Sequence, residues 1–118
     1  MSPEARVLAL IPAYNEAPRV AAVVRGALLH LPVLVVDDGS RDETAAEAEQ
    51  AGGEVLRQIP NQGKGVALRT GFRAALDMGY DYVLTLDADG QHDPAEIPTF
   101  LQTINSAPDL VIGARNFR

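Results

Sequence analysis

Two aspartates two residues apart, Asp87 and Asp89, follow an apolar run and open the segment Asp87-Ala88-Asp89-Gly90-Gln91-His92-Asp93. At a strand end this spacing lets both side chains point the same way while Ala88 points elsewhere. Two like carboxylates held together repel unless a cation lies between them. Hard oxygen ligands beside the Gln91 amide suit Mg2+ or Mn2+ better than Zn2+. The same residues also fit a plainer reading, in which Asp87 caps a turn and Asp89-Gly90 forms it. His92 is either a further ligand or a solvated loop residue.

Four other segments carry unusual polar groups. Asp37-Asp38-Gly39-Ser40 ends an apolar run abruptly. A capping turn accounts for one of its carboxylates, favoured near the positive end of a helix. The second could accept from the ring N–H groups of a nucleobase. Pro12-Ala13-Tyr14-Asn15-Glu16 places a rigid proline and an aromatic face after another apolar run, either to stack on a base or to seal the core. Gly63-Lys64-Gly65 precedes a helical stretch, where a helix start attracts anions, although it is not a phosphate-binding Walker loop. Lys64 is then a diphosphate contact or a solvated charge. Arg115 is a candidate for the same pocket or a surface charge near the terminus.

The elements that must position these residues alternate in kind. Short apolar runs occur at Val7–Ile11, Val33–Val36, Val55–Ile59, Val83–Leu86 and Leu110–Ile112. Between them, apolar residues recur three or four apart: Val20, Val23, Val24, Ala27 and Leu28 in a first helix, with Pro18 allowed in its first turn. Ser40-Arg41-Asp42-Glu43 fits a capping box for a second helix carrying Ala45 and Ala48, and Gly52-Gly53 stops it. A third, about Lys64 to Met78, aligns Ala67, Gly71, Ala74, Ala75 and Met78. A fourth begins near Pro94 with Ile97, Phe100, Leu101 and Ile104 inward. Five strands alternating with four helices predict an α/β fold, a doubly wound, mostly parallel sheet with helices on both faces. Strands this apolar are expected to be buried on both faces. Ligands bind such sheets beyond the carboxyl ends of the strands. All the unusual polar segments fall at that end, whereas Leu31-Pro32, Asp77–Asp81 and Ala107-Pro108 at the other end are brief.

The 118 residues fit one domain, with ten Lys plus Arg against sixteen Asp plus Glu and a net charge of −6. That acidic balance argues against a nucleic-acid partner, whose backbone needs a clustered positive field. No apolar run approaches a membrane span, and the first residues do not resemble a secretory leader. With no cysteine, disulfides and thiolate metal sites are excluded. A cytoplasmic location, or one peripheral at the cytoplasmic membrane face, is the expectation.

Read together, IPAYNE, VVDDGSRDET, NQGKGVALRTGF, LDADGQHDP and VIGAR, in that order, resemble the family 2 glycosyltransferases of the GT-A fold. Within that family the chain is most similar to the dolichol-phosphate mannose synthase, or polyprenyl-phosphate sugar transferase, type. The resemblance implies a GDP- or UDP-sugar donor, a lipid-phosphate or saccharide acceptor, Mg2+ or Mn2+, and metal-assisted displacement with inversion. By the same resemblance Pro12, Tyr14 and Glu16 match the family's nucleotide-binding segment, and Val36 and Asp38 match positions holding base and ribose. Asp87, Ala88 and Asp89 match the DxD segment, Gln91 a metal-adjacent position, and Arg115 an arginine near the donor phosphates. Family members are longer, so residues 1–118 are expected to be the donor-binding, N-terminal part of a longer glycosyltransferase domain. An uncovered sheet edge would then favour homo-oligomers.

Three alternatives differ in chemistry. A truncated, non-catalytic nucleotide- and metal-binding module fits the short length. A receiver-like signalling domain would need its acidic pair after the first strand and a lysine closing the fifth; here those strands end in Pro-Ala-Tyr and Gly-Ala-Arg. A sugar-1-phosphate nucleotidyltransferase would want a Gly-rich, basic loop after strand one, and IPAYNE is neither.

Overall fold

The computed structural model of the chain describes residues 6–90 and 94–106. The elements run β1 (Val7–Ala13), α1 (Ala17–Leu28), β2 (Val33–Asp37), α2 (Thr44–Gln50), β3 (Glu54–Arg57), α3 (Lys64–Asp77) and β4 (Tyr82–Thr85). A 3-10 turn (Pro94–Glu96) then leads into α4 (Ile97–Ser106). The expected fifth strand, Leu110–Ile112, lies outside the described residues.

The four strands form one parallel sheet in the order β3-β2-β1-β4. The register sets Ala13 beside Asp37 and Asp37 beside Arg57, so three strands end level with one another. Alternation along the strands splits the core in two. Val7, Ala9, Ile11, Val33, Val35 and Leu84 face α1, α2 and α4, where Val20, Val24, Ala48 and Ile97 pack on them. Leu8, Leu10, Leu34, Val36 and Val83 face α3, meeting Ala67 and Ala75. Helices therefore cover both faces, as the pattern predicts.

Small residues on α3 let it lie close to the sheet. A Cβ added to Gly71 would come within 2.4 Å of Leu10 Cδ1, a contact no side chain tolerates without displacing a fully buried leucine. At the amino end of the sheet Arg6 ties down the turn between α3 and β4. Its Nη1 donates to the carbonyls of Met78 and Gly79, and its guanidinium lies 4.5 Å from the Tyr80 ring centroid. Charge of this sign suits the last carbonyls of a helix.

Three expectations are corrected. β3 is not buried on both faces: Leu56 is 39% and Ile59 67% exposed, and Ile59 falls beyond the strand. β3 is the edge strand with β2 as its one neighbour in the described sheet, and α3 packs over β1 and β2 instead. Leu28 and Met78, placed on buried helical stripes by their spacing, are exposed at helix ends, where the chain leaves the core. The Ser40 capping box does not form. α2 starts at Thr44, Glu43 occupies the cap position without a side-chain hydrogen bond, and Ser40 serves a neighbouring loop instead. Phe100 and Ile104, expected inward on α4, have side chains outside the description; Ile97 is fully buried and Leu101 packs on the core.

Candidate functional site

The strand order places a switch between β1 and β4. From β1 the chain winds outward to β2 and β3, then crosses back along α3 to β4 on the other side. Loops leaving adjacent strands on either side of such a switch diverge, and ligands of open α/β sheets bind in the crevice that results. A cleft of about 450 Å3 opens there. Pro12, Ala13, Tyr14 and Glu16 wall it from β1, Asp87, Ala88 and Asp89 from β4, and Asp38, Asn61, Gly63, Lys64 and Ala67 from the second and third loops and α3.

The walls are built by loops that hold one another. Asn15 adopts a left-handed backbone (φ 55), a conformation that asparagine tolerates better than most residues. Its N–H donates to Ser40 Oγ at 2.8 Å, and its Oδ1 accepts from Arg41 N at 2.9 Å. Glu16 N donates to Thr44 Oγ1 at 2.9 Å, and Ala17 N to Asp42 Oδ2 at 3.3 Å. Asp42 Oδ1 also accepts from Thr44 N and from the Thr44 hydroxyl. Partial burial alone would raise the Asp42 pKa; the Thr44 hydroxyl, then the N–H groups of Thr44 and Ala17, more than offset it and hold the carboxyl below its ordinary range. Ser40 is thus spent on joining two loops rather than on capping α2. Tyr14 remains 46% exposed with its ring at the cleft. Glu16 pairs with Arg19 at 2.6 Å.

Asp38 is buried and satisfied on every side. Its Oδ1 accepts from Gln58 Nε2 (2.8 Å) and Gln62 N (2.8 Å), its Oδ2 from Asn61 Nδ2 (2.9 Å) and Gly63 N (2.9 Å). A carboxylate offers about four lone-pair positions, so the segment from Gln58 to Gly63 wraps it completely. Gln58 extends the network, because its Oε1 accepts from the Thr70 hydroxyl of α3 at 2.8 Å. Gly39 makes the wrapping sterically feasible: its φ is +72°, and a Cβ there would lie 2.6 Å from Asn61 N. Asp37 does the capping work that the sequence allows, accepting from Ser40 N at 3.2 Å while Arg57 Nε approaches its other oxygen at 3.2 Å.

The β4 side is different. Ala88 packs into the core beneath the site, and Gly90 N closes a turn onto the Asp87 carbonyl at 3.3 Å. A turn thus follows Asp87, closed by its backbone carbonyl rather than by its carboxylate, and Asp87 and Asp89, on either side of the buried Ala88, both line the cleft. Lys64, the first residue of α3, places Nζ 3.0 Å from Asp87 Oδ1. Among the described residues no group of three or more His, Cys, Asp or Glu side chains is gathered as a complete metal site. Two carboxylates are nonetheless a hard donor set of the kind Mg2+ uses, since that ion commonly takes one or two from the protein and fills its shell with water and phosphate oxygens.

Of the residues singled out from the sequence, Pro12, Tyr14, Glu16, Asp38, Asp87, Ala88 and Asp89 come together around this cleft. Val36 lies beneath it with its side chain wholly in the α3-side core. Gln91, His92 and Arg115 lie outside the described residues. Sequence reading put Asn61 in the loop after the third strand without giving it a role, and missed Gln58 as the brace of Asp38. The available signal was a polar side chain interrupting the Val55–Ile59 apolar run, one residue past a strand end.

Comparison with known proteins adds a second line. Residues 9–118 match the family model described as Glycosyl transferase family 2. An undecaprenyl-phosphate mannosyltransferase of Micrococcus luteus is 42% identical over 93% of this chain and 48% of its own length. A polyprenol monophosphomannose synthase of Mycolicibacterium smegmatis is 36% identical over 96% of this chain and 46% of its own. The chain thus spans about half the length of these relatives. Among solved structures, glucosyl-3-phosphoglycerate synthase from Mycobacterium tuberculosis, in complex with Mn2+, UDP-glucose and glycerol 3-phosphate, superposes with a TM-score of 0.71. The match has 23% identity and covers 87% of this chain and 41% of that one. At that identity the likeness concerns the fold alone.

Proposed function

This chain belongs to glycosyl transferase family 2, and from that premise we propose that it forms the donor-binding half of an inverting sugar transferase. Its donor is a nucleoside-diphosphate sugar and its acceptor a polyprenyl phosphate at the cytoplasmic membrane face. The observation that carries the reading is the convergence of the loops after all four strands on one cleft, with Asp87 paired to Lys64 at the start of α3. The lipid-phosphate acceptor rests on the names of the mannosyltransferase relatives. Among the described residues no helix is long and apolar enough to cross a membrane.

In this reading the base lies between Tyr14 and the loop held by Asp38. A ring N–H bonding to Asp38 takes the place of one of the four loop donors, so base binding and loop position are linked. Val36 contributes through its backbone at the strand end, its side chain being committed to the core. The diphosphate lies toward the start of α3, where unpaired first-turn N–H groups and Lys64 favour negative charge. Asp87 and Asp89, with Gln91, would hold Mg2+ or Mn2+, and Arg115 would contact the phosphates. The bound ion supplies Lewis-acid stabilisation of the departing nucleoside diphosphate. A phosphate acceptor is already anionic, so attack from the face opposite the leaving group needs no general base from this half.

The test is calorimetric titration of GDP- and UDP-sugars with and without Mn2+. Wild-type chain should show metal-dependent affinity, and Asp89→Ala should abolish the metal-dependent part. Unchanged affinity in that variant would overturn the assignment.

A further inference from the structure

We propose that Lys64 is a resident cation for Asp87, which a divalent ion must displace and which the donor diphosphate draws away. The inference rests on the metal- and diphosphate-binding reading of the same cleft. Lys64 Nζ lies 3.0 Å from Asp87 Oδ1, with the lysine side chain 65% exposed and the aspartate 25%. An ammonium group has three donors and no lone pair, so it occupies a carboxylate oxygen without contributing a ligand. It is also a compact charge on a flexible stem, able to leave one partner for another while its backbone stays fixed. Here the backbone is fixed: Lys64 starts α3, and the preceding Gly63 is clamped by its N–H to Asp38.

Charge arithmetic gives the device its direction. Asp87, Asp89 and Lys64 together carry −1; adding a divalent ion alone leaves +1, with the ammonium crowded against the metal. A diphosphate reverses that excess and offers Lys64 new oxygens at the helix start. Metal and donor should therefore bind with positive coupling, and the coupling must be reciprocal. Lys64 also neutralises Asp87 when the cleft holds neither, which keeps two neighbouring carboxylates from repelling at full strength.

The experiment is Mn2+ titration of the chain followed by electron paramagnetic resonance, without nucleotide and then with GDP or UDP. An exposed pair of this kind corresponds to about a two- to fivefold change in affinity. Lys64→Met should tighten nucleotide-free Mn2+ binding by about that factor and shrink the enhancement that nucleotide produces. Lys64→Arg, which keeps the charge, should stay near wild type. Arg73→Met, removing equal charge about 13 Å further along α3, should also stay near wild type. Unchanged or weaker Mn2+ binding in Lys64→Met, or an equal gain in Arg73→Met, would overturn the inference while leaving the metal site standing. Mn2+ binding indifferent to both Asp87→Asn and Asp89→Asn would remove the metal reading itself, and the role of Lys64 with it.

Discussion

The two acidic pairs of this protein have similar composition and opposite circumstances. Asp37 and Asp38 are buried at 0% and 3% exposure, and Asp38 is filled by four neutral donors from one loop. Asp87 and Asp89 line an open cleft, and Asp87 pairs with the exposed ammonium of Lys64. A carboxylate surrounded by backbone and amide N–H groups acts as a scaffold, because releasing any donor costs hydrogen bonds inside the protein. One balanced by an exposed side-chain cation can exchange that cation for another at small cost. Residue type alone does not separate these cases; what surrounds the oxygens does.

Substitutions can break this contrast, and their effects on stability should descend in order. Asp38→Ala strands the donors that wrap it and should lower unfolding free energy by about 3 kcal/mol, read by urea denaturation. A loss no larger than that of a surface substitution would mean the loop holds itself. Gly39→Ala attacks the same clamp from the backbone side, through positive φ and the close approach to Asn61. About 2 kcal/mol should be lost, with weaker nucleotide binding as the loop shifts. Asp87→Asn should move stability by less than about 0.5 kcal/mol while eliminating the Mn2+ response. A stability loss comparable with that of Asp38→Ala would erase the distinction between scaffold and ligand.

The smallest effect concerns Asp42, an exposed carboxylate with a structural task. Its pKa is held low in the folded protein by Thr44 and Ala17. Its contribution is therefore present above the ordinary aspartate value and fades as pH falls through the lower folded value, below about pH 4. Asp42→Asn should flatten that acid limb of a stability-versus-pH curve and leave neutral pH nearly unchanged. An unaltered acid limb would show that the Asp42 bonds contribute nothing measurable.

Much of this was readable in advance, for identifiable reasons. The alternation of apolar runs with three-to-four spacing located every described strand and helix, because burial on one face or both imposes those periods. The concentration of polar residues after strands located the cleft, because in a parallel sheet all carboxyl ends point one way. What failed was local reasoning at loops. Ser40 and Glu43 satisfy the spacing of a capping box, yet Ser40 Oγ accepts the N–H of Asn15, twenty-five residues away. Leu56 and Ile59 look like core and are exposed, since nothing in a run of apolar letters says that a strand will be the edge.

The order of residues by itself determined the class of fold, the end of the sheet where the cleft opens, and the membership signalled by five successive motifs. Those depend on periodicity and on short-range covalent order, which a sequence contains outright. The tertiary structure alone decided that Asp38 is clamped by Gln58, Asn61, Gln62 and Gly63, that Lys64 meets Asp87, and that β3 is an edge. Each of those facts joins residues twenty or more positions apart or depends on strand order. Such pairings follow from how α3 crosses back over the sheet, a property of the folded chain as a whole.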